Sequence, residues 1–286
     1  MKKLFFLLPL LFFGCKDEVE QIPAYLKIEP FIVNAEGGAG WHELSEGWLY
    51  VDGEFLGAYT LPATIPVLAE GEVDIIVFPG VKENGVTSTP NIYPFLSRFE
   101  LTKALKPGET TTIQPQTAYD PAAVFPWAFN RTSFDGGSTI GIENRDGDPD
   151  NSFQITTSGA FAGNSLVMTV DTSHFLMQIA TEATSLPATF ENQVWMELHY
   201  ACDMPFSLIL IGQSGGLSEI PQPVYAFGST DGEWNKIYLN LTEFLISLNQ
   251  EQYRLYFVAN LPTDDSGNYS QLNGAVRLDN IRLAHF

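Results

Sequence analysis

Apolar residues in this chain recur at alternate positions in short runs, and glycine, proline, asparagine and aspartate break the runs throughout. Almost no stretch carries a helical period, so the pattern predicts an all-β chain of packed sheets. From 22 to 117 the predicted strands are AYLKIEPFIV, WLYV, EFLGAYTL, EVDIIVF, RFELTKAL and TTTIQPQ. Asp52-Gly53 between two of them is a two-residue hairpin signal, because both positions tolerate positive φ. Glu70-Gly71, Asn84-Gly85 and Pro107-Gly108 punctuate later strands in the same way. The pattern lapses in AYDPAAVFPWAFN, residues 118–130, which reads as a linker. From 131 to 286 the strands are longer: SFQITT, SLVMTVD, NQVWMELHYA, FSLILIG, VYAFGS, WNKIYLNL, YRLYFVANL and AVRLDNIRL. One helix is predicted, Leu241 to Asn249, with Thr242 as its N-cap.

Within the first unit, WLYVDGEFLGAYTLPATIPVLAEGEVDIIVFPGVKENG resembles the PEGA-type β-sandwich module of bacterial surface proteins. That resemblance implies an Ig-like or PEGA-like sandwich over 22–117 and supplies no catalytic residue. In the second unit, a late strand with Gly232, Trp234, Leu239 and Leu241 and a terminal Leu278-Asp279-Asn280-Ile281 strand resemble the jelly rolls of carbohydrate-binding modules, which are similar to galactose-binding-like domains. The resemblance implies a jelly-roll sandwich and a glycan as ligand. In such jelly rolls the aspartate of the terminal strand often joins a structural calcium site. That implication falls on Asp279, with Glu143 as its partner carboxylate and no other cofactor expected.

The amino terminus gives an address. Lys2 and Lys3 precede an apolar run from Leu4 to Phe13, of signal-peptide length and too short for a permanent span, and Gly14 then precedes Cys15. Residues 1–14 therefore read as a lipoprotein signal peptide, Cys15 as the lipidated residue and 15–21 as a tether. Lys16, Asp17 and Glu18 resemble the export signal of surface lipoproteins of the Bacteroidetes type, which implies the outer face of an outer membrane. With Cys15 carrying lipid, Cys202 has no partner, and it reads as a buried structural thiol.

Charge narrows the partners. A net charge of −20 repels phosphate backbones and speaks against nucleic acid. Hydrophobic content of 45% with 13% aromatics supports sizeable cores.

The chemistry-bearing motifs are weak. Gly212-Gln213-Ser214-Gly215-Gly216 matches the G-x-S-x-G pattern of serine hydrolases, but LSEIPQPVY follows it, and two prolines forbid the helix a nucleophile elbow needs. Asp146, Asp148 and Asp150 alternate as Ca²⁺ ligands do, yet Asn151 and Thr157 stand where an EF-hand loop needs glycine and glutamate, so a solvated loop is expected. His42, His174, His199 and His285 lack metal-ligand spacing.

Facial patterning says more. In NQVWMELHY, Val194, Met196, Leu198 and Tyr200 share one face, and Trp195, Glu197 and His199 the other. Lys236, Tyr238 and Asn240 oppose Ile237, Leu239 and Leu241, and Arg254, Tyr256 and Asn260 oppose Leu255 and Phe257. On a common sheet, Trp195, Glu197, His199, Tyr238, Asn240, Arg254 and Tyr256 form a sugar-binding face of rings among hydrogen-bonding groups. The same alternation arises where the aromatics brace the sheet or pack against the first domain. Trp234 reads as a core anchor, and Trp41, Trp48 and Trp127 as core or interdomain residues. The expected function is non-catalytic glycan binding at the cell surface, with the first domain as spacer. The alternatives are a structural or protein-interaction subunit of a surface complex and, third, a hydrolase.

Overall fold

The computed structural model describes residues 20–35 and 39–286, so Cys15, Lys16, Asp17 and Glu18 lie outside the described residues. The described residues of the first domain hold ten strands: β1 (Ala24–Ile28), β2 (Ile32–Val33), β3 (Glu46–Val51), β4 (Glu54–Thr60), β5 (Ala63–Val67), β6 (Gly71–Lys82), β7 (Pro90–Ile92), β8 (Phe99–Leu105), β9 (Thr110–Ile113) and β10 (Gln116–Thr117). They make sheets ordered β5-β1-β9, β10-β2 and β4-β3-β6-β7, with β8 also paired to β6. Asp52 and Gly53 turn β3 into β4 with φ of 50° and 82°. Side chains alternate across these strands, so that Leu26, Ile28, Leu49, Ile75 and Val77 meet in one core.

The second domain is a sandwich of two five-stranded antiparallel sheets, as a jelly roll requires. Its strands are β11 (Ile142–Asn144), β12 (Gln154–Thr156), β13 (Ser165–Asp171), β14 (Leu176–Thr181), β15 (Val194–Cys202), β16 (Phe206–Gln213), β17 (Ile220–Phe227), β18 (Asn235–Asn240), β19 (Gln252–Asn260) and β20 (Asn273–His285). One sheet runs β12-β13-β20-β15-β18 and the other β11-β14-β19-β16-β17. Trp127 is buried in the core between them. Cys202 is buried there too, its thiol donating to the Gly228 carbonyl at 3.2 Å.

β20 shows how the sequence sets a face. Val276 and Leu278 point into the core, strict alternation would then send residues 280 and 282 after them, and yet Ile281 and Leu283 are the pair that joins that core. The phase slips because Asn280 takes φ 51° and forms a bulge opposite β15, where Glu197 pairs Arg282 and His199 pairs Asp279. Asparagine tolerates that left-handed conformation better than a β-branched residue. Asp279 is already on the outer face of this sheet, and the slip turns Asn280 and Arg282 to that face as well.

Among the described residues there are two short α-helices, α1 (Phe129–Thr132) and α2 (Thr242–Leu248). Thr242 does not cap α2 as expected. It is the first helical residue, and its hydroxyl bonds Val194 and Asn240 across the sheet edge. Asn240 Oδ1 accepts the Thr242 N–H instead, at 3.1 Å.

The domains are joined through their cores. Trp195, Tyr238 and Ala284, from the outer face of the β12-β13-β20-β15-β18 sheet, belong to the hydrophobic cluster of the first domain. The turn after β6 adds to edge strand β18: Asn84 N–H donates to Tyr238 O at 2.8 Å, and Asn240 bonds Glu83 and Asn84 side chains. Val124 pairs His285 through both backbone bonds.

Candidate functional site

The seven sugar-face candidates fall on two different sheets, which corrects the single face expected of them. Trp195, Glu197 and His199 on β15 and Tyr238 and Asn240 on β18 face the first domain. Trp195, Glu197, His199 and Tyr238 are buried there, and half-buried Asn240 is tied to Glu83. Period-two patterning gave their face correctly, but the face is covered by protein. Trp195 packs edge-on to Tyr93 and donates its indole N–H to Gln193. No ring face of Trp195 or Tyr238 is left for a sugar.

What these residues build is a buried ionic knot. Glu197 accepts from Tyr93 and Tyr119 hydroxyls at 2.7 and 2.6 Å and from the Lys236 ammonium at 2.8 Å. Arg282 lies over the rings of Phe129, Tyr119 and Phe125 at 4.7 to 5.0 Å. Burial works against the Glu197 charge, yet Lys236 and Arg282 hold its carboxyl well below the usual range. Burial, with the charge of Lys236, pushes His199 down to about 2, so its ring is neutral.

Arg254 and Tyr256 project from β19 on the opposite sheet, whose outer face the first domain does not cover. Register sets Glu143, Ala180, Tyr256, Ile209 and Pro223 side by side across five strands. Gln178, Val258 and Ser207 form the next row. Strands about 4.8 Å apart would hold the edges of a flat five-stranded sheet roughly 19 Å from each other. Arg145, just past edge strand β11, nevertheless reaches Glu219, just before the opposite edge strand β17, at 2.6 Å. The loops at the two edges therefore meet over this outer face and border it as a concave surface. The Tyr256 hydroxyl lies within electrostatic range of both partners of that pair. Glu143 completes the network, 3.1 Å from Arg145 and 3.3 Å from Arg254.

These bonds also correct the calcium pairing. Glu143 serves two arginines on the concave face, whereas Asp279 lies on the other sheet, where it accepts from Ser165 at 2.7 Å and from Asn280 N–H. A cation held between Glu143 and Asp279 does not fit this geometry. Burial, then the neighbouring Asp135, pushes Asp279 up to about 7. Among the described residues no group of three His, Cys, Asp or Glu side chains is placed to hold a metal.

The remaining motifs are structural. Ser214 follows β16, Gly215 and Gly216 turn the chain at positive φ, and strand β17 comes next, so no nucleophile elbow forms. The Ser214 hydroxyl accepts Glu251 N–H at 2.9 Å. Asp146 and Asp148 turn their carboxylates back onto the backbone two residues ahead. Asp148 also meets His174 at 2.5 Å.

No family model matches the chain, and no curated protein matches it. Solved structures overlap it loosely. One, from work on promiscuous specificity in carbohydrate-binding modules of the β-sandwich superfamily, is 13% identical, covers 83% of this chain and 84% of its own, and has a TM-score of 0.36. The family 11 carbohydrate-binding module of a cellulosomal cellulase of Clostridium thermocellum is 16% identical over 53% of this chain and 91% of its own, with a TM-score of 0.36. A family 29 module complexed with mannohexaose is 12% identical over 57% and 92%, with a TM-score of 0.34. Overlap this loose says nothing about what the present chain binds.

Sequence reasoning missed Gln178, Arg145 and Glu219 on the concave face. Arg145 and Glu219 sit in loops, and only the tertiary fold brings them together. It also assigned Trp234 to the core, whereas the ring is half-buried at the boundary between the domains.

Proposed function

We propose that this protein is a non-catalytic glycan-binding lipoprotein, held by acyl chains on Cys15 at the outer face of an outer membrane, which takes its ligand on the concave face of the β11-β14-β19-β16-β17 sheet. The observation that carries this reading is Tyr256, a half-buried ring at the middle of this face, bordered by Arg145, Arg254, Glu143 and Glu219 in one ion-pair network. Such a face suits a saccharide: a ring covers the apolar side of a pyranose, and fixed charged groups accept from and donate to hydroxyls. The network also holds its members in place before ligand arrives, which lowers the ordering cost of binding.

Calorimetric titration of the full chain with soluble β-glucan and mannan oligosaccharides tests the ligand. Tyr256→Ala is expected to weaken binding about tenfold, near 1.4 kcal/mol, with the melting temperature little changed. Unchanged affinity in that variant would remove the concave face from consideration. The address is tested by fractionation. Cys15→Ala is expected to leave the membrane fraction, and protease treatment of whole cells is expected to digest the wild-type protein. Wild-type protein recovered in the soluble fraction contradicts the anchor.

A second reading, docking to a protein, has one observation in its favour. Ile22, Leu56 and Leu68 are exposed, 67%, 37% and 68%, beside grooves of about 500 and 540 Å³ at one end of the first domain. Glycan-independent co-purification of a partner, lost in Leu68→Asp, would favour it.

A further inference from the structure

The boundary between the domains holds a groove that the concave-face reading leaves unused. Its first part, about 220 Å³, is walled by Trp41, Phe161 and Trp234. Phe161 lies 5.7 Å from Trp41 and 5.6 Å from Trp234, edge to face in both cases. The three rings thus form a continuous strip, each half-buried. The strip is held still: Trp234 donates its indole N–H to Gly159 O at 3.2 Å, and Phe161 stacks on His199 at 4.1 Å. The second part, about 210 Å³, shares Glu43, Asn235 and Lys236 with the first and continues past Ser45, Lys82 and Tyr225.

The chemistry of the lining selects among ligands. Lys236 at the floor is neutralised by Glu197, and Glu43 in the same lining carries the charge opposite to Lys82, so the groove presents no net positive charge to an anion. Rings that touch edge to face make a wall and not a cage, which disfavours an enclosed quaternary ammonium. What remains is an aromatic strip with exposed Glu43 and Asn235 and half-buried Lys82 and Ser45 beside it, donors and acceptors together. Neutral hydroxyls both donate and accept, and the carbon faces of sugar rings stack on indole and phenyl rings.

We propose that this interdomain groove is a second, separate saccharide site, with the rings of Phe161 and Trp234 as platform and Glu43, Asn235 and Lys82 as hydroxyl partners. Trp41, Glu43 and Lys82 come from the first domain and Phe161, Trp234 and Asn235 from the second, so neither domain contains the site alone. The ionic knot beneath it fixes the domains against each other, and the groove is preformed. This inference shares the glycan ligand of the concave-face reading, but it concerns another surface and succeeds or fails by its own variants.

Calorimetry and tryptophan emission of the full chain, titrated with cellohexaose and with mannohexaose, decide it. Wild-type protein is expected to show two sites and a change in emission. Tyr256→Ala is expected to keep one site and the emission change, whereas Trp234→Ala keeps the other site and weakens the groove about tenfold. Glu43→Ala, on the exposed rim, is expected to weaken the same site severalfold and serves where Trp234→Ala fails to fold. A groove site untouched by both variants overturns the proposal. Loss of all binding in Tyr256→Ala alone overturns it while sparing the concave face, and absence of binding by wild-type protein overturns both.

Discussion

Glu197 keeps its charge with 1% of its surface exposed, because two tyrosine hydroxyls and the Lys236 ammonium satisfy it. Removing one partner of such a pair leaves the other charge buried and uncompensated, which costs about 3–5 kcal/mol. Glu197→Gln is expected to lose that much at pH 7, and Glu197→Gln with Lys236→Met much less, by guanidinium unfolding. The sign of the pH dependence follows from the direction of the shift. A depressed carboxyl stabilises the fold above its unfolded value of 4.5, and the contribution is lost as pH falls below that point, by about 1.4 kcal/mol per pH unit. The gap between wild type and Glu197→Gln therefore narrows below pH 4.5, and a gap equal at pH 7 and pH 3.5 would contradict the knot. Taking the difference removes two opposing groups. His199, held down near 2, loses stability below 6.5, while Asp279, pushed up to about 7, gains it over the interval from 7 to 3.8.

At the scale of elements, alternation made strands and faces legible, because a strand with one side in a core must place every second residue there. The face assignment of 194–200 and of the β18 and β19 residues is the observed one. Alternation does not name what covers the other face, so Trp195 read either as a platform or as packing against the first domain, and the second is what the domain boundary shows. Nor does it say which strands share a sheet. β15 and β18 are neighbours, but β19 lies across the sandwich from them. The bulge in β20 had a signature, apolar residues at 276, 278, 281 and 283, in which the spacing slips by one at Asp279-Asn280. The ion pair of Arg145 with Glu219 had none, since 74 residues separate them and the arrangement that joins them involves all five strands at once.

The whole molecule is a pair of sandwiches whose cores meet. A cluster that includes Leu26, Ile75 and Phe95 of the first domain and Trp195, Tyr238 and Ala284 of the second would be opened if either unfolded alone. Calorimetry is expected to show one transition with matching calorimetric and van't Hoff enthalpies, and two separated transitions would show independent domains. The first domain is accordingly more than a spacer. It covers one face of the jelly roll and leaves the other, concave face open, which is the face proposed for the ligand. Amide chemical shifts of the protein titrated with oligosaccharide test that division most directly. The expected shifts cluster at Gln178, Arg145, Arg254 and Tyr256, with a separate set along the groove at Trp234 and Asn235. Saturable binding that leaves Arg254 and Tyr256 unmoved would contradict the concave face as the site.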